Sequence, residues 1–293
     1  MRLWVVLGEI GNYESWQKTA AAGKDLMKKY DLEISVYRGT DITYHIGGAD
    51  GKAGLFVNGV EAEAPDRLLL WGHCNGMLEG ISTQLTSMGT VSINAIEAKR
   101  IVGSKLATAQ LLAKENIPQA ELMPIYRNTP KELILKEIGL PLVTKPDGGY
   151  GGEGIALLYT EEELEHYLEG LPEKPGEVIL AQKFIASSKG RDVRVLMIGG
   201  KPVVAVQRHA GKADEFRSNV HLGGYWEDFG ITDDMKVLCE KTAKLSGLAI
   251  CGLDLLFDEN GFIIGEINCS PGMDVHVKQI GMKKFFEVLY TAL

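Results

Sequence analysis

The residues best suited to chemistry are three oxygen-bearing side chains near the end of the chain: Asp254, Glu266 and Asn268. They lie on two apolar stretches joined by the turn sequence Asp-Glu-Asn-Gly. We predict a β-hairpin with a three-residue loop, 259–261, which gives Gly261 the left-handed conformation that such loops need. In that register Asp254 lies opposite Glu266. Asn268 shares a face with Glu266, because side chains alternate along a strand.

Two carboxylates directly across a strand ladder repel each other. A hard cation between them would remove the repulsion, and an all-oxygen set of Asp, Glu and Asn suits Mg²⁺ or Mn²⁺. The alternative is a polar face that stays in water. A two-residue turn at Asn260 and Gly261 would favour this alternative, because that register puts Asp254 and Glu266 on opposite faces. The hairpin alone leaves both possibilities open.

A glycine-rich loop lies between two predicted strands. Its five glycines are Gly148, Gly149, Gly151, Gly152 and Gly154. Glycines let backbone N–H groups approach phosphate oxygens, and Lys145, at the end of the preceding strand, can reach the same anion. No Gly-Lys-Ser/Thr precedes a helix, so this is not a Walker loop. The alternative is a flexible hairpin loop beside a solvated lysine.

Residues 189–217 are basic in an otherwise acidic chain. The cations are Lys189, Arg191, Arg194, Lys201, Arg208, Lys212 and Arg217, against Asp192, Asp214 and Glu215. We interpret the segment as an anion-binding floor for phosphates and a carboxylate, for which arginine is well suited. A predicted hairpin through Gly199 and Gly200 puts Arg194 on the polar side of its strand. The alternative is a solvated basic face.

No Ser, His or Cys stands out as a covalent nucleophile. His73 and Cys74 follow a predicted strand at the edge where open α/β sheets bind ligands, but a catalytic Cys–His pair forms in space rather than between sequence neighbours. Loop amides, lysines, a metal and arginines are the parts that phosphoryl transfer needs. We expect the substrate to bring its own nucleophile, and a carboxylate is the natural partner for an arginine floor.

The secondary structure predicted to position these residues begins with an α/β segment and continues with α+β segments. Strands are predicted at 3–8, 32–37, 67–71, 122–126, 140–145, 154–158, 177–185, 191–198 and 201–208, with a small hairpin at 55–60. Helices are predicted at 13–30, 97–115, 161–169, 232–246 and 279–291, and one is capped by Thr129 with Pro130 at its first position. The β-α-β start predicts a parallel sheet with crossover helices. We place domain boundaries to give domains 1–95, 96–184 and 185–293.

Composition narrows the functional class. The 293 residues carry a net charge of −8, with 45% hydrophobic and 24% charged residues, as in soluble globular proteins of more than one lobe. The charge argues against a nucleic-acid-binding surface. We expect no signal peptide and no membrane span, a cytoplasmic location, and four reduced cysteines.

Residues from about 100 to 275 resemble the ATP-grasp carboxylate–amine ligases, and most closely the RimK-like ribosomal-protein glutamate ligases. The matching segments are Val143-Thr-Lys145-Pro, the loop 148–154, Ile179-Leu-Ala-Gln182, Arg191-Asp192-Val-Arg194, Phe216-Arg217-Ser218-Asn219, Gly252-Leu-Asp254-Leu-Leu and Gly265-Glu266-Ile-Asn268-Cys-Ser-Pro271-Gly272. The first ninety or so residues resemble this family only loosely.

The resemblance implies an ATP-grasp fold, in which an N-terminal parallel α/β domain precedes two α+β lobes that clamp ATP. The implied nucleotide-binding residues are Lys105, Lys145, Gly149, Gly151, Gly152, Gln182, Lys183, Phe184, Asp192, Arg217, Ser218 and Asn219. Asp192 would bind the ribose, and Gln182, Lys183 and Phe184 would line the adenine pocket. Asp254, Glu266 and Asn268 would hold Mg²⁺, and the implied catalytic residues are Arg217, Arg208 and Asn219.

The implied reaction forms an amide through an acyl phosphate and releases ADP and phosphate. The expected partners are ATP, a carboxylate and an amino acid or amine, with a peptide or protein as a possible acceptor and a homo-oligomer as a possible assembly. Two departures from the family bear on specificity, the first on nucleotide preference and the second on substrate choice. Lys183 stands where relatives usually carry an acid, and segment 71–76 lacks the Arg that these ligases often show. The alternatives are a peptide-tailoring, macrocyclising ligase and a nucleotide-binding regulator without turnover.

Overall fold

The computed structural model describes residues 1–8, 13–47, 54–73, 75–148, 153–174, 176–212, 215–218, 223–272, 277 and 279–292. Within them the strands are β1 (Arg2–Leu7), β2 (Glu33–Arg38), β3 (Ile42–His45), β4 (Gly54–Val57), β5 (Val60–Glu61), β6 (Arg67–Trp71), β7 (Val91–Ser92), β8 (Leu122–Ile125), β9 (Leu142–Pro146), β10 (Ala156–Leu158), β11 (Ile179–Lys183), β12 (Arg191–Ile198), β13 (Lys201–His209), β14 (Tyr225–Phe229), β15 (Ile250–Asp258) and β16 (Gly261–Asn268).

The helices of the same residues are α1 (Tyr13–Ala22), α2 (Lys24–Lys29), α3 (Gly76–Ser87), α4 (Ile96–Gly103), α5 (Lys105–Lys114), α6 (Lys131–Glu137), α7 (Glu161–Gly170), α8 (Asp233–Ser246) and α9 (Met282–Thr291). No helix in the described part of the chain is both long and apolar enough to cross a membrane.

The first sheet confirms the predicted parallel start. Its strand order is β2-β1-β6-β7, and every neighbouring pair runs parallel. A smaller antiparallel sheet, β3-β4-β5, lies between β2 and β6 in the chain. Its β4–β5 hairpin turns at Asn58 and Gly59, both with positive φ (50° and 78°), as a two-residue Asn-Gly turn requires.

Two antiparallel sheets follow. The second sheet has the order β10-β9-β11-β8, and the third has the order β14-β13-β12-β15-β16. The second sheet packs with α6 and α7 in a core that includes Ile134, Leu142 and Leu164. The third packs on one face against α8 through Cys239, Val195 and Leu253. The predicted domains 1–95, 96–184 and 185–293 follow these sheets closely, but the division stays a prediction.

An apolar core joins the first and third sheets. Leu3, Val5 and Leu7 of β1 share a cluster with Leu196 of β12 and Ile250 of β15. Side chains of α9 complete this cluster. The carboxyl ends of the first sheet are therefore held close to the strands that carry the acidic residues.

Two predicted helices are each divided into two. The 13–30 prediction becomes α1 and α2, which meet at Gly23 (φ −84°, ψ 0°). Gly23 lies against Phe286 of α9, where a Cβ atom would stand only 1.9 Å from the ring. The 97–115 prediction becomes α4 and α5 because Ser104 is extended (φ −101°, ψ 120°) and its Oγ accepts from Ala107 N at 3.0 Å. Lys105 is therefore the first residue of a helix rather than an interior one.

The predicted cap at Thr129 is wrong by one position. Helix α6 begins at Lys131 with Pro130 as its N-cap. The Thr129 hydroxyl instead accepts from the backbone N–H of Tyr126 at 2.8 Å, so it closes the turn before the helix.

The hairpin of β15 and β16 has the predicted pairing but not the predicted loop. Asp254 pairs with Glu266, and Gly252 pairs with Asn268, as expected. The loop, however, contains two residues, 259 and 260, because Asp258 pairs with Gly261. A register shift opposite Asp254 and Leu255 inserts Gly265 as an extra residue in β16. The bulge adds the residue that the shorter loop omits, so both carboxylates still share one face.

Gly23→Ala tests the contact between α2 and α9. The added methyl would overlap the buried Phe286 ring, and overpacking of this kind costs about 1–3 kcal/mol of unfolding free energy. Urea denaturation measures the change. Gly103→Ala is the matched control, because a Cβ there meets nothing within 4 Å. It should instead stabilise the chain by about 0.4–1 kcal/mol, and equal effects of the two variants would contradict the packing argument.

Candidate active site

The floor of the site is an ionic network on the face of the third sheet opposite α8. The register places Arg194 of β12 beside Asp254 of β15, and Asp192 of β12 beside Arg208 of β13. Arg194 donates to both carboxylate oxygens of Asp254 at 2.7 Å, and Arg208 Nη2 donates to Asp254 Oδ2 at 2.8 Å. Arg208 also donates to both oxygens of Asp192. One buried guanidinium thus joins two buried carboxylates.

This pairing decides the protonation state of Asp254, which is 5% exposed. Burial by itself would raise its pKa, but Arg194 and Arg208 outweigh burial and lower the pKa to about 2. For Arg208, burial opposes the charge while the two carboxylates raise the pKa above its ordinary value. The predicted arginine floor is therefore present. Its arginines are neutralised by acids of the same sheet, and the alternative of a solvated basic face does not apply to Arg194 or Arg208.

Two lysines stand beside Glu266. Lys105 Nζ lies 3.8 Å from Glu266 Oε1 and donates to the carbonyl of Asp147 at 3.2 Å. The Asp147 side chain accepts from Leu106 N at 2.7 Å, in the first turn of α5. This contact ties the segment that follows Lys145 to the helix that carries Lys105.

Lys145 is 9% exposed, and no hydrogen bond joins its ammonium to another described residue. Burial lowers its pKa to about 8, Glu266 opposes this shift, and the nearby charge of Lys105 adds to it. A buried ammonium without a hydrogen-bonded partner is costly. An anion bound here would supply the missing partner, so the alternative of a solvated lysine is wrong for Lys145.

A cleft between the second and third sheets brings the predicted residues together. Its walls include Lys145, Gln182, Lys183, Phe184, Asp192, Arg217, Ser218, Asp254 and Glu266. A neighbouring pocket adds Lys105 and shares Lys145, Gln182 and Glu266. Gly149, Gly151, Gly152, Asn219 and Cys74 lie outside the described residues.

Lys183 makes a surface salt bridge within this wall. Its ammonium donates to Glu121 Oε2 at 2.8 Å, and this hydrogen bond raises the lysine pKa. Its backbone N–H donates to the Glu121 carbonyl at 2.9 Å. The Lys183 side chain is therefore engaged with Glu121 rather than with the acids of the floor.

In the sequence Glu215 is one of the three acids of the basic segment 189–217. In the structure it binds Arg217. Arg217 donates through Nε at 2.9 Å and through Nη2 at 2.8 Å to the two oxygens of Glu215. These side-chain hydrogen bonds lower the pKa of Glu215 to about 2. An acid two residues before an arginine is the sequence feature that could have indicated this pair.

The predicted metal ligands share one face, as expected, but their contacts differ from a bare oxygen cluster. The charge of Asp254 is balanced by two guanidinium groups, and Asn268 Nδ2 lies 3.3 Å from Asp254 Oδ2. Among the residues that the structure describes, no three His, Cys, Asp or Glu side chains have the spacing of a metal site. The donor chemistry still fits Mg²⁺, since two carboxylates and one amide oxygen are hard ligands. Asp254 could join such a site through the lone pair of Oδ1 that Arg194 Nε does not use, or by exchanging a guanidinium contact.

The fold and the site together define an ATP-grasp protein. The ATP-grasp ligase PsnB complexed with minimal precursor superposes with a TM-score of 0.71 at 17% identity, covering 99% of both chains. D-alanine–D-alanine ligase from Bacillus anthracis gives 0.68 at 18% identity, covering 100% of this chain and 97% of that one. A RimK domain protein from Sphaerobacter thermophilus gives 0.70 at 16% identity, covering 100% and 99%.

The chain belongs to the RimK-like ATP-grasp family, whose domain matches residues 102–289. A probable alpha-L-glutamate ligase from Thioalkalivibrio sulfidiphilus is 35% identical over 199 residues, which are 65% of this chain and 63% of the relative. A protein of the same description from Vibrio atlanticus is 34% identical, covering 68% and 65%. The chain thus spans less than two thirds of the length of these curated relatives.

Arg208→Met tests whether the floor depends on its shared guanidinium. The change leaves Asp192 without its partner and removes one of two from Asp254, and breaking a buried pair costs about 3–5 kcal/mol of unfolding free energy. Urea denaturation at neutral pH measures the loss. Lys201→Met, which removes an exposed pair with Glu240, should have little effect.

The same two variants give a pH test. The pKa of Asp254 is lowered from 3.8 to about 2 in the folded chain, so its ion pairs stabilise the fold above about pH 4 and lose this effect as pH falls towards 2. The difference between wild type and Arg208→Met should therefore shrink in acid. A difference that stays constant down to pH 2 would contradict the assignment.

Proposed function

We propose that the chain is an ATP-dependent carboxylate–amine ligase. It forms an amide bond through an acyl-phosphate intermediate, and it adds a glutamate-like amino acid to a peptide, a protein or a small acid. The observation that carries the proposal is the cleft in which Lys145 is buried near Glu266, Lys105 and the arginine-bound Asp254. The Lys145 ammonium has no hydrogen-bonded partner among the residues that the structure describes. Family membership supports it, since the similar curated relatives are described as probable alpha-L-glutamate ligases.

The proposed nucleotide contacts follow the cleft. Lys105 and Lys145 bind phosphate oxygens, together with the backbone of the loop 148–154. Gln182, Lys183 and Phe184 line the adenine pocket, where the backbone carbonyl of Lys183 is the group that acts, since Glu121 binds both its ammonium and its backbone N–H. Asp192 binds the ribose through the lone pairs that Arg208 leaves unused, since Arg208 donates one hydrogen bond to each of its oxygens.

The proposed metal residues are Asp254, Glu266 and Asn268. Mg²⁺ held there with ATP would neutralise charge on the phosphates. PsnB has been solved complexed with Mg and ADP, and we extend that requirement to this chain as part of the proposal. The acids of the hairpin and the lysines facing them would then hold opposite sides of the polyphosphate.

The reaction needs no nucleophile from the protein. A carboxylate oxygen of the first substrate bonds to the γ-phosphorus as the bond to the bridging oxygen breaks and ADP leaves. The amine nitrogen then bonds to the acyl carbon, phosphate leaves with the electron pair of the C–O bond, and the amine gives up a proton. Arg217, Ser218 and Asn219 are proposed to contact the reacting phosphate, and Arg208 to lie near the carboxylate.

The nature of the acceptor is a finer part of the proposal. PsnB is described with a precursor peptide, and this supports a peptide acceptor as the second candidate. A nucleotide-binding regulator without turnover is the third reading. Mass spectrometry of products from separate pools of amino acids, peptides and small acids, with ATP and Mg²⁺, separates the three. A cytoplasmic location, the three-domain division and a homo-oligomer remain predictions.

Glu266→Ala tests the ligase assignment. Loss of this carboxylate should lower substrate-dependent ADP release by at least about 100-fold, the scale seen when a transition-state stabilising group is removed. A coupled ADP assay measures the rate, and circular dichroism checks the fold. Glu137→Ala, on the exposed side of α6, is the control and should keep wild-type turnover. Equal ADP release by Glu266→Ala and wild type would exclude a role for Glu266.

Lys145 gives a proton-linkage test. Its pKa is about 8 before any anion binds, and a bound phosphate would raise it, because an opposite charge favours the ammonium. Nucleotide binding near pH 8.5 should therefore take up a proton, and affinity should fall as pH rises above 8. Calorimetry with ADP in buffers of different ionisation enthalpy measures the uptake. Lys145→Met should bind without it, and the same uptake in the variant would assign the proton to another group.

A further inference from the structure

The largest fully buried side chain in the described part of the molecule belongs to Lys99, which is 0% exposed. It lies on the inner face of α4 with Ile96 and Val102. Its ammonium forms no ion pair with a described acid. Burying an ammonium among neutral groups costs free energy, so stability alone does not account for a lysine here.

The ammonium of Lys99 makes two hydrogen bonds, and both lead to one junction. It donates to the carbonyl of Leu70 at 3.3 Å and to Ser270 Oγ at 3.2 Å. Ser270 Oγ also accepts from Gly72 N at 2.9 Å and donates to the Gly72 carbonyl at 3.2 Å. The hydroxyl thereby uses its one proton and both lone pairs, so it has no capacity left for other partners.

The junction joins two parts of the cleft that are distant in sequence. Leu70 and Gly72 lie at the carboxyl end of β6, the edge where sheets of this kind bind ligands. Ser270 follows Asn268 by two residues, at the end of the strand that also carries Glu266. Position 72 favours glycine, because its φ is 120° and a Cβ there would stand 3.3 Å from the backbone of Gly8.

The next residue along this edge is His73, and the charge of Lys99 affects its pKa. Burial lowers the pKa of His73, and the positive charges of Lys99 and Lys105 lower it further. The imidazole of His73 is therefore neutral at neutral pH. Such a ring can accept a hydrogen bond or a proton from an amine.

We propose that Lys99 is a positioning residue that, through Ser270, fixes the His73 edge of the first sheet against the strand carrying Glu266 and Asn268. The edge so fixed forms the wall of the acceptor site, and the group that meets it is the attacking amine of the co-substrate. The kinetic consequence of this proposal rests on the proposed ligase function. Its structural consequence, the placement of His73 beside Lys99, does not depend on that function.

The first experiment measures the position of His73 without any turnover. NMR titration gives the pKa of each histidine, and His73→Gln assigns the resonance. In Lys99→Met the pKa of His73 should rise, because a nearby positive charge is gone. Arg100→Met is the matched control. It removes a cation from the next position of α4, on the exposed side and paired with Glu79, and solvent screening should leave His73 unchanged.

The second experiment measures kinetics. Lys99→Met and Ser270→Ala should each raise the KM for the amine by about 10-fold, the lower end of the effects seen when supporting partners of a site are lost. Nucleotide affinity should stay at the wild-type value, because neither residue lines the cleft described above. The double variant should be no worse than the more affected single variant, since both changes break one connection.

Two results would overturn the proposal. One is a His73 pKa in Lys99→Met equal to that of wild type. The other is a loss of kcat with an unchanged KM for the amine in both single variants, as expected if the residues only support folding. If Lys99→Met does not fold, Ser270→Ala decides the kinetic arm by itself. If wild type releases no ADP with any acceptor, the ligase proposal fails, while the histidine titration still decides the placement of His73.

Discussion

The structure of the site depends on one buried interaction, the binding of Asp254 by Arg194 and Arg208. Charges this deeply buried are tolerated only when each is paired and hydrogen-bonded. β12, β13 and β15 must therefore keep a single register, because a slip of one residue would turn an arginine or its carboxylate partner to the other face of the sheet. The same register fixes Asp192 beside Arg208 and Glu266 beside Asp254. The floor of the cleft is thus specified by pairing of charges, and the apolar face beneath it supplies the packing.

Much of the fold could be predicted from local sequence, and the errors have identifiable physical causes. Strand positions followed from apolar runs, and the parallel start followed from β-α-β order. The close approach of Gly23 to Phe286 could not be predicted, because the two residues are distant in the chain. The hairpin shows a different limit. The pairing of Asp254 with Glu266 was right while its loop was wrong, because two one-residue changes, a shorter loop and the bulge at Gly265, cancel.

The residue types of the site were also predictable, but their partners were not. A sequence gives the number of arginines in a segment, whereas strand order decides which acids they meet. Arg208, which the family resemblance implies to be catalytic, binds Asp192 and Asp254 in the floor, and the sequence alone does not indicate these partners. Lys99 went unnoticed for a related reason. The helix places exposed Ile101 and buried Lys99 two positions apart, which is the reverse of what an amphipathic pattern predicts.

The distribution of partners suggests how an anionic substrate would change the site. Arg194, Arg208 and Arg217 are each bound by a carboxylate, and Lys105 lies near Glu266. Lys145 alone among these cations has no hydrogen-bonded partner in the described chain. A polyphosphate that binds Lys145 gains this contact without breaking another. Arg194 and Arg208 use only part of their five N–H donors on Asp192 and Asp254, so contact with them requires exchange only at the N–H groups already bound. Binding energy from the first contact can offset the cost of that exchange. We therefore expect the proposed nucleotide to contact Lys145 at no such cost, whereas contact with an N–H group already bound to Asp192, Asp254 or Glu215 would require a phosphate to replace that carboxylate.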